Sequence, residues 1–309
     1  MSSMSIVIIV ASRGRPAEVR HLMKRLAIQT HVPSAVIICG VEESDLPQDS
    51  SILLGDIPCI PMLCEPGSCR QRNAGLDSIQ VDSDVIVFYD DDYVPSKFAL
   101  EDIAATFEAN PELIGLTGQV LADGVTVGGL SIDDATEIVE NHDNNRKNAV
   151  PVTDLSERNL YGLYGCNMAL RSVAIGAERF DERLPLYGWL EDVDFSHRVS
   201  RTGILAKSAG FAGAHCGVTH GRSPGTRVGY SQIMNPVYLM RKGSMSLGFC
   251  LAEAFRVLLA NHVKSIVGTE PWIDRRGRTR GNWLAIVDLL RGRVTPERIL
   301  TMQHHATQP

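Results

Sequence analysis

No window of this 309-residue chain holds the roughly 18 uninterrupted apolar residues that a spanning helix needs. The opening stretch, MSSMSIVIIVASRGRP, has no basic leading segment, and its apolar run is only about six residues. That is too short for a secretory signal, so none is expected. Seven cysteines, an odd number, then point to a reducing cytosol. Cys59, Cys64 and Cys69 recur every five positions, which is not the Cys-x-x-Cys spacing of a zinc site, and no fourth ligand lies nearby. They read as small buried or neutral residues. The net charge of −6 gives no global pull toward nucleic acid. Neither a repeat nor a low-complexity segment occurs.

What is present suits one large domain or two modest ones, with 44% apolar and 21% charged residues. The charge is uneven. From Arg241 onward there are eleven Lys and Arg against five Asp and Glu, a surplus of six, so the residues before carry −12. A basic end on an acidic body suggests that anionic surfaces matter at the C-terminal end only.

Short β-branched runs alternate with helical spacing. Strands are expected at 5–11, 36–39 and 85–88, with a short, proline-broken edge strand at 57–63. Helices are expected at 17–29, 68–79 and 95–109, the last opened by Pro95. This alternation implies a mostly parallel sheet flanked by helices. Another strand follows at 113–121. Residues 122–159 are polar, with few apolar anchors, and read as an irregular insertion able to close over a ligand. The chain returns to the core at 160–170 and gives a strand at 203–215. Residues 219–230, rich in glycine, read as loop. Apolar residues at helical spacing fill 238–267, and a basic loop from Asp274 leads to a last helix.

The stretch DVIVFYDDDYVP, from Asp84, organises the rest. Four apolar residues end in Asp90, Asp91 and Asp92. Acids at the end of a buried strand are costly without a positive partner, and ligands of open α/β sheets bind at that end. In extended backbone Asp90 and Asp92 point the same way, so an Asp-x-Asp pair can share one divalent cation. The plainer alternative is a solvated turn that caps the next helix. A second cluster, LYGWLEDVDFSHRVSRTG from Leu186, puts Glu191 and Asp192 near the first turn of a helix, where the dipole favours anions. A carboxylate there is either a general base or a helix cap. Arg13, Arg15, Arg70 and Arg72 follow strand ends or open helices, and guanidinium forks suit phosphate oxygens. His215 and His220 come late, among glycines, and one of them would complete a cation site.

Along roughly 240 residues these motifs, in this order, resemble the family 2 glycosyltransferases, inverting sugar-transfer enzymes of the GT-A fold. VIIVASRGRPAEVRHLMKRLAIQT resembles the opening strand and helix. CEPGSCRQRNAGLD resembles the Gly-x4-Arg-Asn-x-Gly segment, and VIVFYDDDYVP the Asp-x-Asp motif. GCNMALRSVAI and RFDERLPLYGWLEDVDFSHRVSRTG resemble the acceptor-side block. The acidic motif that usually ends the second strand is replaced by GVEESD, where Glu42, Glu43, Asp45 or none of the three stands in.

The resemblance implies a GT-A catalytic domain over 1–235, with a nucleotide-sugar half (1–121), an acceptor half (122–235) and a C-terminal helical extension (236–309). It implies Mn²⁺ or Mg²⁺ on Asp90 and Asp92, with His220 as third ligand, and donor contacts from Arg13, Arg72, Asp90 and Asp91. Asp192 is the implied base, with Glu191 as its substitute. The implied partners are a nucleoside diphosphate sugar and a glycan or lipid-linked acceptor, as in bacterial polysaccharide synthesis. The C-terminal region suits either a peripheral contact with the inner face of the membrane or helices that pack on the body or form a homodimer. The rival readings are a nucleotidyltransferase, whose first loop would carry a lysine that SRGRP lacks, a metal-free glycoside hydrolase, and a non-catalytic sugar-nucleotide binder.

Overall fold

The β-branched run at the start forms β1 (Ile6–Ala11), buried on both faces from Ile6 to Val10, as a central parallel strand must be. The structure, a computed structural model, describes residues 4–146, 150–218, 220 and 223–302. Helix α1 (Pro16–Ala27) starts on a proline that has no N–H to satisfy, and buries Val19, Leu22, Met23 and Leu26. Next come β2 (Ala35–Gly40), α2 (Ser50–Leu54), the edge strand β3 (Cys59–Leu63), α3 (Ser68–Asp77) and β4 (Val85–Asp90). They are followed by β5 (Tyr93–Pro95), α4 (Ala99–Ala109), β6 (Leu113–Asp123), α5 (Ile132–Asn144), β7 (Leu155–Arg158) and β8 (Asn167–Arg171). Then come α6 (Ser172–Ile175), α7 (Glu191–Val199), β9 (Ile204–His215), α8 (Gly225–Lys242), α9 (Leu247–Val267) and α10 (Arg275–Leu290).

The chain divides into two units. The first comprises Met1–Pro66, Arg70–Phe180 and Phe195–Gly221, and the second Gly67–Cys69, Asp181–Asp194 and Arg222–Pro309. All nine described strands belong to the first and make one sheet in the order β3-β2-β1-β4-β8-β6-β9-β5, with β7 also on β9. Strands β1 to β4 run parallel, β8 runs antiparallel between β4 and β6, and β9 is parallel to β6. The result is the mostly parallel, helix-flanked α/β architecture expected from the sequence. None of the seven cysteines is in a disulfide.

Three segments differ from expectation. Residues 122–159 are not irregular throughout, because they include α5 and β7. Helix α5 is capped by Ser131, whose hydroxyl accepts from Asp134 N at 3.0 Å, and it packs Ala135 and Val139 beside Val94 and Ala214. Its apolar stripe is two residues wide, which is why its period was faint in the sequence. Pro95 does not open a helix. It ends β5, which pairs with β9, and α4 begins four residues later. The glycines of 219–230 are not all loop, because α8 begins at Gly225.

Those glycines let two helices touch. A Cβ on Gly229 would collide with the Arg278 carbonyl oxygen, and one on Gly281 with that of Thr226. Backbone meets backbone where α8 crosses α10, as small-xxx-small spacing allows. The crossing is clamped by a buried amide network. Asn261 Nδ2 donates to Gln232 Oε1 (2.9 Å) and Asn282 Oδ1 (3.0 Å), and Asn282 Nδ2 donates to Gly229 O (2.7 Å). We therefore expect Gly229→Ala to cost about 1–3 kcal/mol through overpacking. Thermal unfolding followed by circular dichroism measures it, and a melting point equal to that of the parent would refute the backbone contact. One helix, α8, runs unbroken through residues 235 and 236. Among the described residues no helix is long and apolar enough to cross a membrane.

Candidate active site

Strand register builds the site. Asp90 ends β4 opposite Ala11 of β1, and Asp91 and Asp92 make the turn into β5. The last residue of β9, His215, pairs with Tyr93 on one side and Asp123 of β6 on the other. Three strand ends thus deliver Asp90, Asp92, His215 and Asp123 to one place. One donor atom from each of Asp90, Asp92 and His215 lies within 4.8 Å of the other two. His215 Nε2 is 3.3 Å from Asp92 Oδ1 and 3.9 Å from Asp90 Oδ2. Its Nδ1 faces Asp123 Oδ1 at 3.1 Å, and the Tyr164 hydroxyl donates to Asp123 Oδ2 at 2.9 Å. Asp123 therefore fixes the ring and leaves Nε2 turned toward the aspartate pair, the arrangement that orients histidine ligands in metal sites.

The remaining acid is occupied. Asp91 accepts from Ser12 Oγ (2.8 Å) and Arg15 Nη1 (2.9 Å). Arg15 also approaches Asp92 at 3.7 Å, and Arg72, buried in α3, donates to Asp90 Oδ1 (2.9 Å) and Gly165 O (3.0 Å). Four carboxylates against two guanidiniums leave two negative charges when the imidazole is neutral. Two carboxylates and an imidazole facing a deficit of two suit a divalent cation, with Mn²⁺ accepting the nitrogen more readily than Mg²⁺.

Without a cation the imidazole takes up the charge. Burial would lower the His215 pKa, but the hydrogen bonds to Asp123 and Asp92 and the charges of Asp92 and Asp90 outweigh it and raise it to about 10. Burial pushes the Asp90 carboxyl up against the pull of Arg72. Burial also acts on Asp92, yet His215 and Arg15 hold it down at about 2. Because the folded His215 pKa lies above its ordinary value, its stabilisation is full below about pH 6.5 and is lost as pH rises through about 10. In EDTA the melting temperature should therefore fall between pH 7 and 10. With Mn²⁺ the stabilisation by the ion should grow over the same range, because proton and cation compete for Nε2. Identical pH slopes in the two conditions would exclude His215 from cation binding.

The other expected residues are distributed as follows. Arg13 is exposed in the turn after β1, and the buried ion pairs are made by Arg15. His220, expected as third ligand, is not with the aspartate pair. It is largely exposed, with Nε2 3.5 Å from Glu18 Oε1, and His215 stands with the aspartates instead. Asp45 is buried and accepts from Gly14 N, Val41 N and Glu42 N, so it braces the loop after β2, while Glu42 and Glu43 stay exposed. Asp123, Ser12 and Tyr164 gave no sequence signal of their own, since their partners are strands distant in sequence.

In the second unit, Glu191 and Asp192 are the first two residues of α7, Glu191 buried and Asp192 half-buried. The loop before them is strained. Leu186 (φ 59°) and Leu190 (φ 69°) adopt left-handed backbone at about 1–2 kcal/mol each. Contacts hold it: Ser68 N donates to Leu186 O (2.9 Å), Asn235 Nδ2 donates to Trp189 O (2.9 Å), and both Leu186 and Trp189 pack against the apolar cluster that Tyr230 and Met234 belong to. Strain maintained by this many contacts fixes the direction in which α7 begins.

No family model and no curated protein matches the sequence. The fold is shared with solved glycosyltransferase structures. TarS 1-349 of S. aureus aligns with a TM-score of 0.53 at 15% identity, over 96% of this chain and 82% of that one. Its complex with UDP-GlcNAc aligns at 0.51 and 14% identity, over 96% and 83%. The mannosyltransferase PcManGT of Pyrobaculum calidifontis, in complex with GDP-Man and Mn²⁺, aligns at 0.51 and 8% identity, over 93% and 86%. Of a longer TarS chain, this one spans 40%.

Proposed function

We propose that the protein is a metal-dependent, inverting glycosyltransferase of the family 2 type. It would move a sugar from a nucleoside diphosphate donor to a hydroxyl of a glycan or lipid-linked acceptor. The observation that carries this reading is the Asp90–Asp92–His215 cluster at strand ends, on a fold whose solved neighbours include complexes with UDP-GlcNAc and with GDP-Man and Mn²⁺. A bound Mn²⁺ or Mg²⁺ would neutralise charge that develops on the diphosphate leaving group.

The chain's own residues do the rest. Asp90, Asp92 and His215 would hold the cation, and Asp123 would aim the imidazole. Arg72 keeps Asp90 in position, and Arg15 with Ser12 does the same for Asp91. Arg13, exposed beside them, is assigned to the diphosphate oxygens. Asp192 takes the proton of the acceptor hydroxyl. The acceptor oxygen then bonds to the anomeric carbon as the bond to the diphosphate breaks on the opposite face, which inverts the centre. Glu43 borders an open surface depression with Leu46, Gln48 and Leu63, and this edge is assigned to the nucleoside.

A panel of UDP-, dTDP- and GDP-sugars, assayed for nucleotide release with Mn²⁺ and with EDTA, tests the reading. Release from one donor that EDTA abolishes supports it and names the donor. EDTA-insensitive cleavage of a glycoside would favour the hydrolase instead.

A further inference from the structure

The helical part of the second unit carries an apolar face that its own packing leaves uncovered. On α9, Cys250, Val257 and Asn261 turn inward. Leu251, Phe255, Leu259, Val263 and Ile266 follow one another at steps of three or four and are between 47% and 85% exposed. A water-facing helix side is normally polar. The two cations of α9 are taken, Arg256 by Glu253 at 2.6 Å and Lys264 by Glu270 at 2.6 Å. Helix α10 lies alongside, with Trp283 Nε1 donating to His262 Nε2 at 3.0 Å. Its exposed side presents Arg276, Arg280, Trp283, Val287 and Leu290, again at steps of four and three.

Charge identifies the occupant. Glu253 of α9 is paired with Arg256, Asp288 of α10 with Arg298, and Glu270 of the loop between them with Lys264 and Arg275, while Asp274 caps α10 through Gly277 N. Arg276 and Arg280 have no ion pair among the described residues. A second copy meeting it with the same face would bring like charges. An anionic bilayer complements both parts of it, because phosphates take the arginines, the acyl boundary takes the leucine row, and an exposed tryptophan suits the headgroup level. We propose that α9 and α10 form a docking face that seats the protein in the plane of an anionic membrane surface. This inference does not depend on sugar transfer.

The test is sedimentation of the full chain with phosphatidylcholine vesicles, with and without about a third phosphatidylglycerol, at low and high salt. Binding is expected to the anionic vesicles and to weaken with salt. Phe255→Asp should reduce it on the order of tenfold, and Arg276→Gln or Arg280→Gln about fivefold each. These side chains are exposed, so circular dichroism should match the parent. The arginine variants decide the matter should Phe255→Asp fail to fold. Absence of binding, or binding that no variant weakens, overturns the proposal. So does a dimer in analytical ultracentrifugation that Phe255→Asp dissociates, which would assign the face to a second copy. No sugar donor enters the assay, so an inactive transferase leaves its outcome readable.

Discussion

Asp92→Asn should reduce metal-dependent sugar transfer by at least about a hundredfold while the sheet stays intact. The amide oxygen still accepts from Val218 N, which Asp92 binds at 2.8 Å, so the turn keeps its backbone contact. The charge is what disappears. One of the two uncompensated negative charges is gone, and His215 loses the partner 3.3 Å from Nε2. Cation affinity and turnover should fall together. The measurement is Mn²⁺ titration by calorimetry beside the nucleotide-release assay. A variant that binds Mn²⁺ like the parent, or transfers sugar within about threefold of it, would remove Asp92 from the site. Asp91→Asn is the comparison. Its carboxylate is committed to Ser12 and Arg15, so it should lower stability and affect catalysis less.

The second large effect is expected at Asp192. Replacement by asparagine should lower the transfer rate by about 10²–10⁴ while donor and cation binding persist, because a general base acts only once the acceptor hydroxyl is in place. The pattern separates this residue from the aspartate pair: rate falls, donor affinity does not. Glu191→Gln should have a smaller effect. Were the two variants to exchange these effects, the base would be Glu191. If neither reduces the rate, the start of α7 has no proton-transfer role and the carboxylates are helix caps.

The sequence revealed the half of the sheet built from local signals. Ile6–Ala11, Ala35–Gly40 and Val85–Asp90 are unbroken apolar runs, and such runs are readable without knowing their neighbours. The acidic end of β4 was legible for the same reason. What depended on distant pairing was not. The choice between His215 and His220 rests on β9 lying against β6, with register shifts between Thr117 and Gln119 and between Val120 and Asp123 that bring Asp123 opposite His215. No local pattern encodes a bulge across 92 residues of sequence separation. Glycine misled at Gly225 and Gly229. The residue that signals a turn is also the residue that lets two helix backbones touch, and only the partner helix, fifty residues on, tells the two apart.

The position of β9 bears on how the protein is made. It is the last of the described strands, yet it lies inside the sheet, with β6 on one side and β5 and β7 on the other. During synthesis, at about 5–20 residues per second, the β6 edge stays open until residue 215 has left the ribosome, several seconds after β6 itself. A nascent chain stalled before that point exposes an unpaired strand edge, which invites association with other chains. The Asp90–Asp92–His215 corner, completed by the final residue of β9, is the last part of the sheet to be assembled, so products truncated before it would lack the cluster and would contribute to aggregation.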